Sequence, residues 1–155
     1  MIITLYPFIT SLINQCYDSV YHSTSYLTES TTTYEPEHLQ RKDGLPWASG
    51  NGKGIGDIIS IKEFEHENPE TLIIMNGYQD VNHPDYYGKN SRVKALKITN
   101  RQTKKSKTIA VSDTKEEQRF SLKELGKGGE YELEILDVYN GSKYDDLCIQ
   151  YLVVE

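Results

Sequence analysis

Short apolar runs separated by clusters of Gly, Asn, Asp and Lys recur along this chain, and their spacing is what most constrains its fold. No run continues with a helical period over a convincing length, and residues 121–125 have room for one turn at most. Strands are predicted at 17–27, 56–64, 71–78, 93–100, 107–111, 118–122, 131–139 and 147–154. Regularly spaced short strands with turn signals between them are typical of an all-β sandwich or barrel.

The sharpest strand pattern lies at 131–135, where Tyr131, Leu133 and Ile135 alternate with glutamates. Successive side chains point to opposite faces of a strand, so one face is expected in the core and the other in solvent. The run 147–154 carries apolar residues on both faces, which predicts a central, covered strand. Turn signals such as Asn-Gly follow the strands as this architecture requires.

The 155 residues suit one domain, since a domain of this size buries about 68–70% of the surface that its unfolded chain exposes. Residues 1–16 are apolar, but they lack a positive n-region, contain Pro7, and are too short to span a bilayer. They are either a degenerate leader or an ordinary first strand, and 17–155 form the β domain. Cys16 and Cys148 do not decide the compartment: they could pair, or Cys148 could be a small buried hydrophobe.

The formal charge of −6 is unevenly placed, because no Lys or Arg precedes Arg41. Basic residues dominate only the short run from Arg101 to Lys107. This run reads as a solvated hairpin tip, and it is too small for a nucleic-acid footprint. We therefore expect no nucleic-acid partner and no membrane span.

Catalytic and cofactor signatures are incomplete. The glycine-rich segment Gly50–Gly56 lacks the Ser or Thr that follows the lysine of a phosphate loop, and the four histidines are not at zinc-ligand spacing. Ser23-Thr-Ser25 and Glu132-Leu-Glu134 resemble two parts of an ADP-ribosyl-transferring site, but no arginine precedes the serines. The sequence therefore predicts a protein that is not an enzyme.

Several segments, taken in order, resemble one bacterial family. They are Asp43-Gly-Leu-Pro-Trp47, Gly54-Ile-Gly-Asp57, Ile74-Met-Asn-Gly-Tyr78, Asn90-Ser-Arg-Val-Lys94 and Ile135-Leu-Asp-Val-Tyr-Asn-Gly-Ser-Lys-Tyr-Asp-Asp146. The chain is similar to the discoidin-like, galactose-binding-like domain attached to streptococcal-type NAD glycohydrolases, described as a glycan-binding or translocation domain. The resemblance implies a jelly-roll β-sandwich and non-catalytic binding of a glycan or glycosylated surface, with a secreted or cell-surface bacterial location.

The same resemblance raises the question of calcium. Related modules often hold a structural calcium ion between an aspartate near the Asp-Gly…Trp segment and a glutamate at the start of the last strand. Asp43 matches the aspartate, while the other position is taken to be Tyr151, which offers no carboxylate. No cofactor is predicted, and calcium is expected to matter little.

Two connections, 28–54 and 79–92, are long for a compact domain, and long loops usually carry function. A glycan site needs aromatic faces for a sugar ring and fixed polar groups for its hydroxyls. The predicted glycan-binding residues are Trp47, Tyr78, Tyr86, Tyr87, Asn90 and Arg92.

Each candidate also has a structural interpretation. Trp47 could equally be a core residue, and Arg92 could form a loop-fixing salt bridge with Asp80 or Asp85. The polar turn that contains Asp145 and Asp146 is interpreted as internal bonding that pins two strands.

Two functions follow from this sequence. The first is a glycan-binding module of a secreted or cell-surface bacterial protein. The alternative is a protein–protein interaction or toxin-docking domain that kept the fold without binding sugar. Neither the particular sugar nor the oligomeric state is indicated by the sequence.

Overall fold

The computed structural model describes residues 19–64 and 66–155. The two interpretations of residues 1–16, and any pairing that involves Cys16, lie outside the described residues.

Eleven strands form the framework of the described chain. They are β1 (Ser19–Ser23), β2 (Thr28–Glu29), β3 (Thr32–Thr33), β4 (Trp47–Ala48), β5 (Ile58–Glu63), β6 (Thr71–Asn76), β7 (Arg92–Asn100), β8 (Ser106–Ala110), β9 (Gln118–Ser121), β10 (Glu130–Tyr139) and β11 (Cys148–Val154). One short helix, α1 (Tyr86–Lys89), and two 3₁₀ helices, Pro36–Gln40 and Lys123–Leu125, complete the described elements. None of these described helices has the length and apolar character needed to cross a membrane.

The strands form two antiparallel sheets. One has the order β1-β5-β10-β7-β8 and the other the order β4-β11-β6-β9, while β2 and β3 form a separate hairpin. Buried apolar side chains from both sheets make one continuous hydrophobic core. The Tyr21 hydroxyl donates to the Leu152 carbonyl at 2.7 Å and so links β1 of one sheet to β11 of the other.

The predicted all-β sandwich is confirmed, and each of the eight predicted runs overlaps an observed strand. In β10, Tyr131, Leu133 and Ile135 are buried while the intervening glutamates are half-exposed. Strand β11 lies between β4 and β6, which confirms the prediction of a central strand. The predicted basic hairpin tip joins β7 to β8.

The two long connections contain structure that the sequence did not predict. Residues 28–54 hold the β2–β3 hairpin, a 3₁₀ helix and β4, and residues 79–92 hold α1. Backbone bonds attach the hairpin to the sandwich: the Leu27 amide donates to the Ala48 carbonyl at 2.9 Å, and the Ala48 amide donates to the Tyr34 carbonyl at 3.2 Å. Both connections are thereby held at the same end of the molecule.

Candidate functional site

A pocket of about 260 Å³ opens at this end of the sandwich. Its walls come from the β2–β3 hairpin, β4, the segment after β6, helix α1 and the turn before β11. Four of the side chains that line it are tyrosines. The lining consists of Leu27, Glu29, Tyr34, Ala48, Tyr78, Tyr86, Asn90, Tyr144, Asp146 and Cys148.

Three of the tyrosines pack edge to face, an arrangement that the ring quadrupole favours. The ring centroids of Tyr78 and Tyr34 are 6.2 Å apart at an interplanar angle of 69°, and those of Tyr78 and Tyr86 are 5.1 Å apart at 71°. The His83 ring stacks on Tyr86 at 4.6 Å. This mutual packing holds the rings in place, with their faces at steep angles around the pocket.

The turn after β6 positions Tyr78. The buried Asn76 side chain accepts from the amides of Gly77 and Val93 and donates to the Val93 carbonyl, which joins the end of β6 to the start of β7. Gly77 adopts a φ of +73°, and a Cβ there would lie 2.6 Å from the Tyr87 ring. Only glycine therefore fits this turn without strain.

The polar groups of the pocket are an amide, two carboxylates and the tyrosine hydroxyls. The Asn90 side-chain amide donates to the Tyr86 carbonyl at 2.9 Å. Burial, and then the neighbouring Asp145, raise the pKa of Asp146. Burial is also the main cause that raises the pKa of Tyr34 and Tyr78, so both hydroxyls stay protonated and can donate hydrogen bonds at neutral pH.

Three of the six predicted site residues, Tyr78, Tyr86 and Asn90, line this pocket together. Their role in binding stays a prediction. The other three do not line the pocket, and the structure gives a physical reason for each.

Trp47 offers no face to a ligand, because its side chain is completely buried. Its indole N–H lies 3.1 Å from both the Ser23 hydroxyl and the Ser25 carbonyl, which accept from it. The prediction that Trp47 is an exposed stacking platform is therefore wrong: it is a core residue.

Tyr87 and Arg92 form a separate cluster with Asp113. The Arg92 guanidinium binds both carboxylate oxygens of Asp113, at 2.7 and 3.0 Å, and lies 5.1 Å from the Tyr87 ring centroid. The Tyr87 hydroxyl donates to the same carboxylate at 2.8 Å. The hydrogen bond from Arg92 is the main cause that lowers the pKa of Asp113. The Arg92 guanidinium is buried and already paired with Asp113, so the prediction that Arg92 binds a glycan is wrong. The salt bridge that it forms is with Asp113 and not with the predicted Asp80 or Asp85.

The cluster still matters for the pocket. The Arg92 guanidinium also donates to the carbonyls of Asn90 and Tyr87, at 2.8 and 3.2 Å. These carbonyls belong to the end of α1, the helix that carries Tyr86. Arg92 therefore positions pocket residues and does not line the pocket itself.

Sequence reasoning missed Tyr34, Tyr144, Glu29 and Asp146 as pocket residues. The turn that carries Tyr144 docks on α1, since the amides of Ser142 and Tyr144 donate to the carbonyls of Gly88 and Lys89. The turn is thus held by backbone bonds to α1, not by the predicted internal bonding between two strands, and this docking brings Tyr144 to the pocket.

The residues near Asp43 do not fit a calcium ion. The Asp43 carboxylate is 89% exposed and lies 3.8 Å from Arg41. The Gln150 amide N–H, not a group of Tyr151, donates to the carbonyls of Gly44 and Lys42 at 2.9 and 3.4 Å, while the Tyr151 ring contacts the Lys42 ammonium. An N–H donor thus points at carbonyl oxygens where calcium would need a further oxygen ligand. Within 19–64 and 66–155, no cluster of acidic, histidine or cysteine side chains suits a metal.

Calcium is accordingly expected to leave the stability of the protein unchanged. We expect the melting temperature with 5 mM calcium to match that with a chelator within about 1 °C, because the Gln150 amide already satisfies the loop carbonyls. Differential scanning fluorimetry measures this directly. A rise of several degrees with calcium, reversed by the chelator, would show that a cation site exists.

The fragments that resembled a transferase site do not come together. The Ser23 hydroxyl accepts from Trp47 and donates to the Ser25 carbonyl. Glu132 lies on β10, which β5 separates from β1, and its carboxylate pairs with Arg101 at 2.9 Å. Ser23 and Glu132 are therefore accounted for by structural contacts.

Two antiparallel sheets that share one core, with a loop-built pocket at one end, make this chain a β-sandwich, and a comparison with known families places it in the discoidin-like class. The family model described as the NAD glycohydrolase translocation F5/8 type C domain matches residues 15–155. The chain belongs to this family. No curated protein matches it.

Solved structures share the fold at low sequence identity. A family 32 carbohydrate-binding module from Clostridium perfringens, in complex with GalNAc-β-1,3-galactose, has a TM-score of 0.61 at 10% identity, covering 88% of this chain and 94% of that one. The family 32 module of NanJ from C. perfringens, in complex with galactose, has a TM-score of 0.59 at 11% identity, covering 88% and 93%. The arabinofuranosyltransferase AftD from Mycobacteria has a TM-score of 0.61 at 11% identity, covering 89% of this chain and 11% of its own. These likenesses show the discoidin-like sandwich.

Proposed function

We propose that this chain is a non-catalytic carbohydrate-binding module and that the tyrosine-lined pocket is its glycan site. The observation that carries the proposal is the convergence of four tyrosines with an amide and two carboxylates in one open pocket. Aromatic faces stack on the apolar face of a sugar ring, while amide, hydroxyl and carboxylate groups bind its hydroxyls. The sugar complexes of two structural neighbours support the same class of ligand.

The size of the pocket favours a short ligand. Sites for drug-sized molecules have volumes of about 300–1,000 Å³, and this pocket, at about 260 Å³, is smaller. A terminal sugar unit fits such a volume better than an internal stretch of polysaccharide. We therefore propose recognition of glycan ends, as displayed on a glycosylated surface, by a secreted or cell-surface bacterial protein.

A second candidate is docking of a partner during translocation, which the description of the family supports. The two candidates differ in their ligand. A glycan array with the purified chain tests the first, and co-purification with an NAD glycohydrolase domain tests the second.

Removing one pocket ring is expected to weaken glycan binding by about 5–30-fold. This follows from the loss of about 1–2 kcal/mol, less than the value for complete burial of an apolar side chain. Tyr86→Ala and Tyr144→Ala are the variants of choice, because neither ring is fully buried, and Tyr26→Ala removes an equally exposed ring outside the pocket as a control. Calorimetric titration with the best ligand from the array measures the effect.

Circular dichroism and thermal melting of each variant separate lost binding from lost folding. If folded Tyr86→Ala and Tyr144→Ala proteins bind the glycan as tightly as the wild type, the glycan site lies elsewhere.

A further inference from the structure

We propose that the tyrosine-lined pocket selects a sugar with a free, protonated amino group over neutral and anionic sugars. The inference rests on the proposed function and deepens it by naming the class of sugar. Two independent features of the pocket carry it: its charge and the arrangement of its rings.

The pocket is purely acidic. Among the described residues, Glu29 and Asp146 are its only charged lining residues, and no described lysine, arginine or histidine lines it. Within the part of the chain that the structure describes, neither carboxylate forms an ion pair. Asp145, next in the chain, adds further negative charge, and Asp146 already has a raised pKa because of burial and of this neighbour.

Several carboxylates elsewhere in the described residues are paired. Asp113 pairs with Arg92, Glu132 with Arg101, and Glu130 with Lys62. Asp85, at the start of α1, pairs with Lys89 at 2.5 Å. Glu29 and Asp146 have no such partner within the described residues, so a cationic group of a ligand would pair with them.

The rings favour a cation for a separate reason. The face of an aromatic ring is electrically negative and attracts an ammonium group within about 6 Å of its centroid. The steep angles between Tyr34, Tyr78 and Tyr86 place ring faces and edges on different sides of one space. Lys143 lies 5.2 Å from the Tyr144 ring centroid, whereas the rings of Tyr34, Tyr78 and Tyr86 have no such contact with a lysine or arginine of the described residues.

The same features disfavour anionic and neutral sugars. A sugar carboxylate or sulfate would meet Glu29 and Asp146 with no basic side chain in the pocket lining to pair with it. An N-acetyl group removes the positive charge and keeps only hydrogen-bonding capacity. A hexosamine with a free amine keeps the ring that stacks and adds the charge that the carboxylates lack.

The test compares sugars that differ in one substituent. Galactosamine, galactose, N-acetylgalactosamine and galacturonic acid, and the corresponding gluco series, are titrated into the full chain and followed by NMR chemical shifts. We expect the amino sugar of at least one series to bind about 5–10-fold more tightly than its neutral parent, and the uronic acid to bind more weakly than the parent. High salt should reduce the preference for the amine, because it screens partly exposed charges.

Two charge-removing variants test the cause. Asp146→Asn and Glu29→Gln should each lower the ratio of the amino-sugar affinity to the neutral-sugar affinity, even where they also weaken binding of the neutral parent. Asp43→Asn, which removes a carboxylate that is 89% exposed and outside the pocket, should change neither.

The outcomes separate this inference from the proposed function. Equal affinity for amino and neutral sugars overturns the inference and leaves the glycan module standing. Choline, which carries a positive charge but no sugar ring, is titrated as a further probe. If choline binds and no sugar does, both the inference and the proposed function are overturned. The absence of binding by every probe also overturns both. An amine preference that survives in the Asp146→Asn, Glu29→Gln double variant also overturns the inference, because the carboxylates would then not be its source.

Discussion

Replacing Trp47 with alanine is expected to lower the free energy of unfolding by about 3–5 kcal/mol, the range measured for removing large aromatic side chains from protein cores. The indole is completely buried, so its removal leaves a cavity and exposes no new binding surface. It also leaves the Ser23 hydroxyl and the Ser25 carbonyl without their donor. A native stability is about 5–15 kcal/mol, so a large share of it is at risk.

Urea unfolding followed by circular dichroism measures this change. Trp47→Phe is the matched variant, because it also lacks the N–H donor but keeps an aromatic ring and leaves a smaller cavity. It should therefore be clearly less destabilising than Trp47→Ala. A Trp47→Ala protein with native stability and weakened sugar binding would contradict the core assignment and restore the stacking role.

Replacing Asp57 with alanine is expected to destabilise the protein by about 1–3 kcal/mol, the cost of a buried polar group that loses its partner, which here is the buried Ser49 hydroxyl. The Asp57 carboxylate is nearly buried and accepts from four side chains: Thr24, Ser25, Ser49 and Asn51, at 3.1, 2.6, 2.5 and 2.9 Å. These donors come from the end of β1 and from the loop after β4. The Asp57 carboxylate therefore links its own segment, just before β5, to the end of β1 and to the loop after β4.

The matched variant is Asp57→Asn, which keeps the shape but turns one acceptor into a donor and removes the charge. We expect its loss of stability to lie between those of wild type and Asp57→Ala, measured by the same urea titration. If the alanine variant is as stable as the wild type, the hydroxyl groups of Thr24, Ser25 and Ser49 do not need the Asp57 carboxylate as their hydrogen-bond acceptor.

Asp57 also gives the stability a pH dependence of known sign. Burial alone would raise its pKa, but the hydrogen bonds from Ser25, Ser49, Asn51 and Thr24 together lower it below its ordinary value of 3.8. A carboxyl group with a depressed folded-state pKa stabilises the fold above its unfolded pKa, and this contribution is lost as the pH falls through the folded-state pKa. The difference in stability between wild type and Asp57→Asn should therefore shrink below about pH 4.

The strands could be predicted from the sequence because burial on one face imposes an alternation that is visible locally, as in β10. The pocket could be predicted only in part, through Tyr78, Tyr86 and Asn90, which share one loop. Tyr34 and Tyr144 join them through the docking of a hairpin and a turn, and no local pattern encodes that docking. A tryptophan side chain suits either a hydrophobic core or a sugar-binding surface, and only the burial of Trp47 in the structure decides between these two roles.

The two remaining errors have similar causes. Arg92 is paired with Asp113, 21 residues away, which is set by how the strands meet and not by nearby carboxylates. The choice between Gln150 and Tyr151 is a question of register, because a shift of one residue moves a side chain to the opposite face of a strand. A single sequence does not determine register to that precision.

The pocket draws its walls from residues 27–34, 78–90 and 144–148, which are brought together only by the folded sandwich. An unfolded chain therefore has no site, and a ligand that binds there stabilises the native state by mass action. The gain is RT ln(1 + [L]/Kd), or about 2.7 kcal/mol when the ligand is present at 100 times its Kd. Even a sugar that binds in the millimolar range would then raise the unfolding temperature measurably, so a panel of crude glycans could be ranked by thermal shift without labelling either partner.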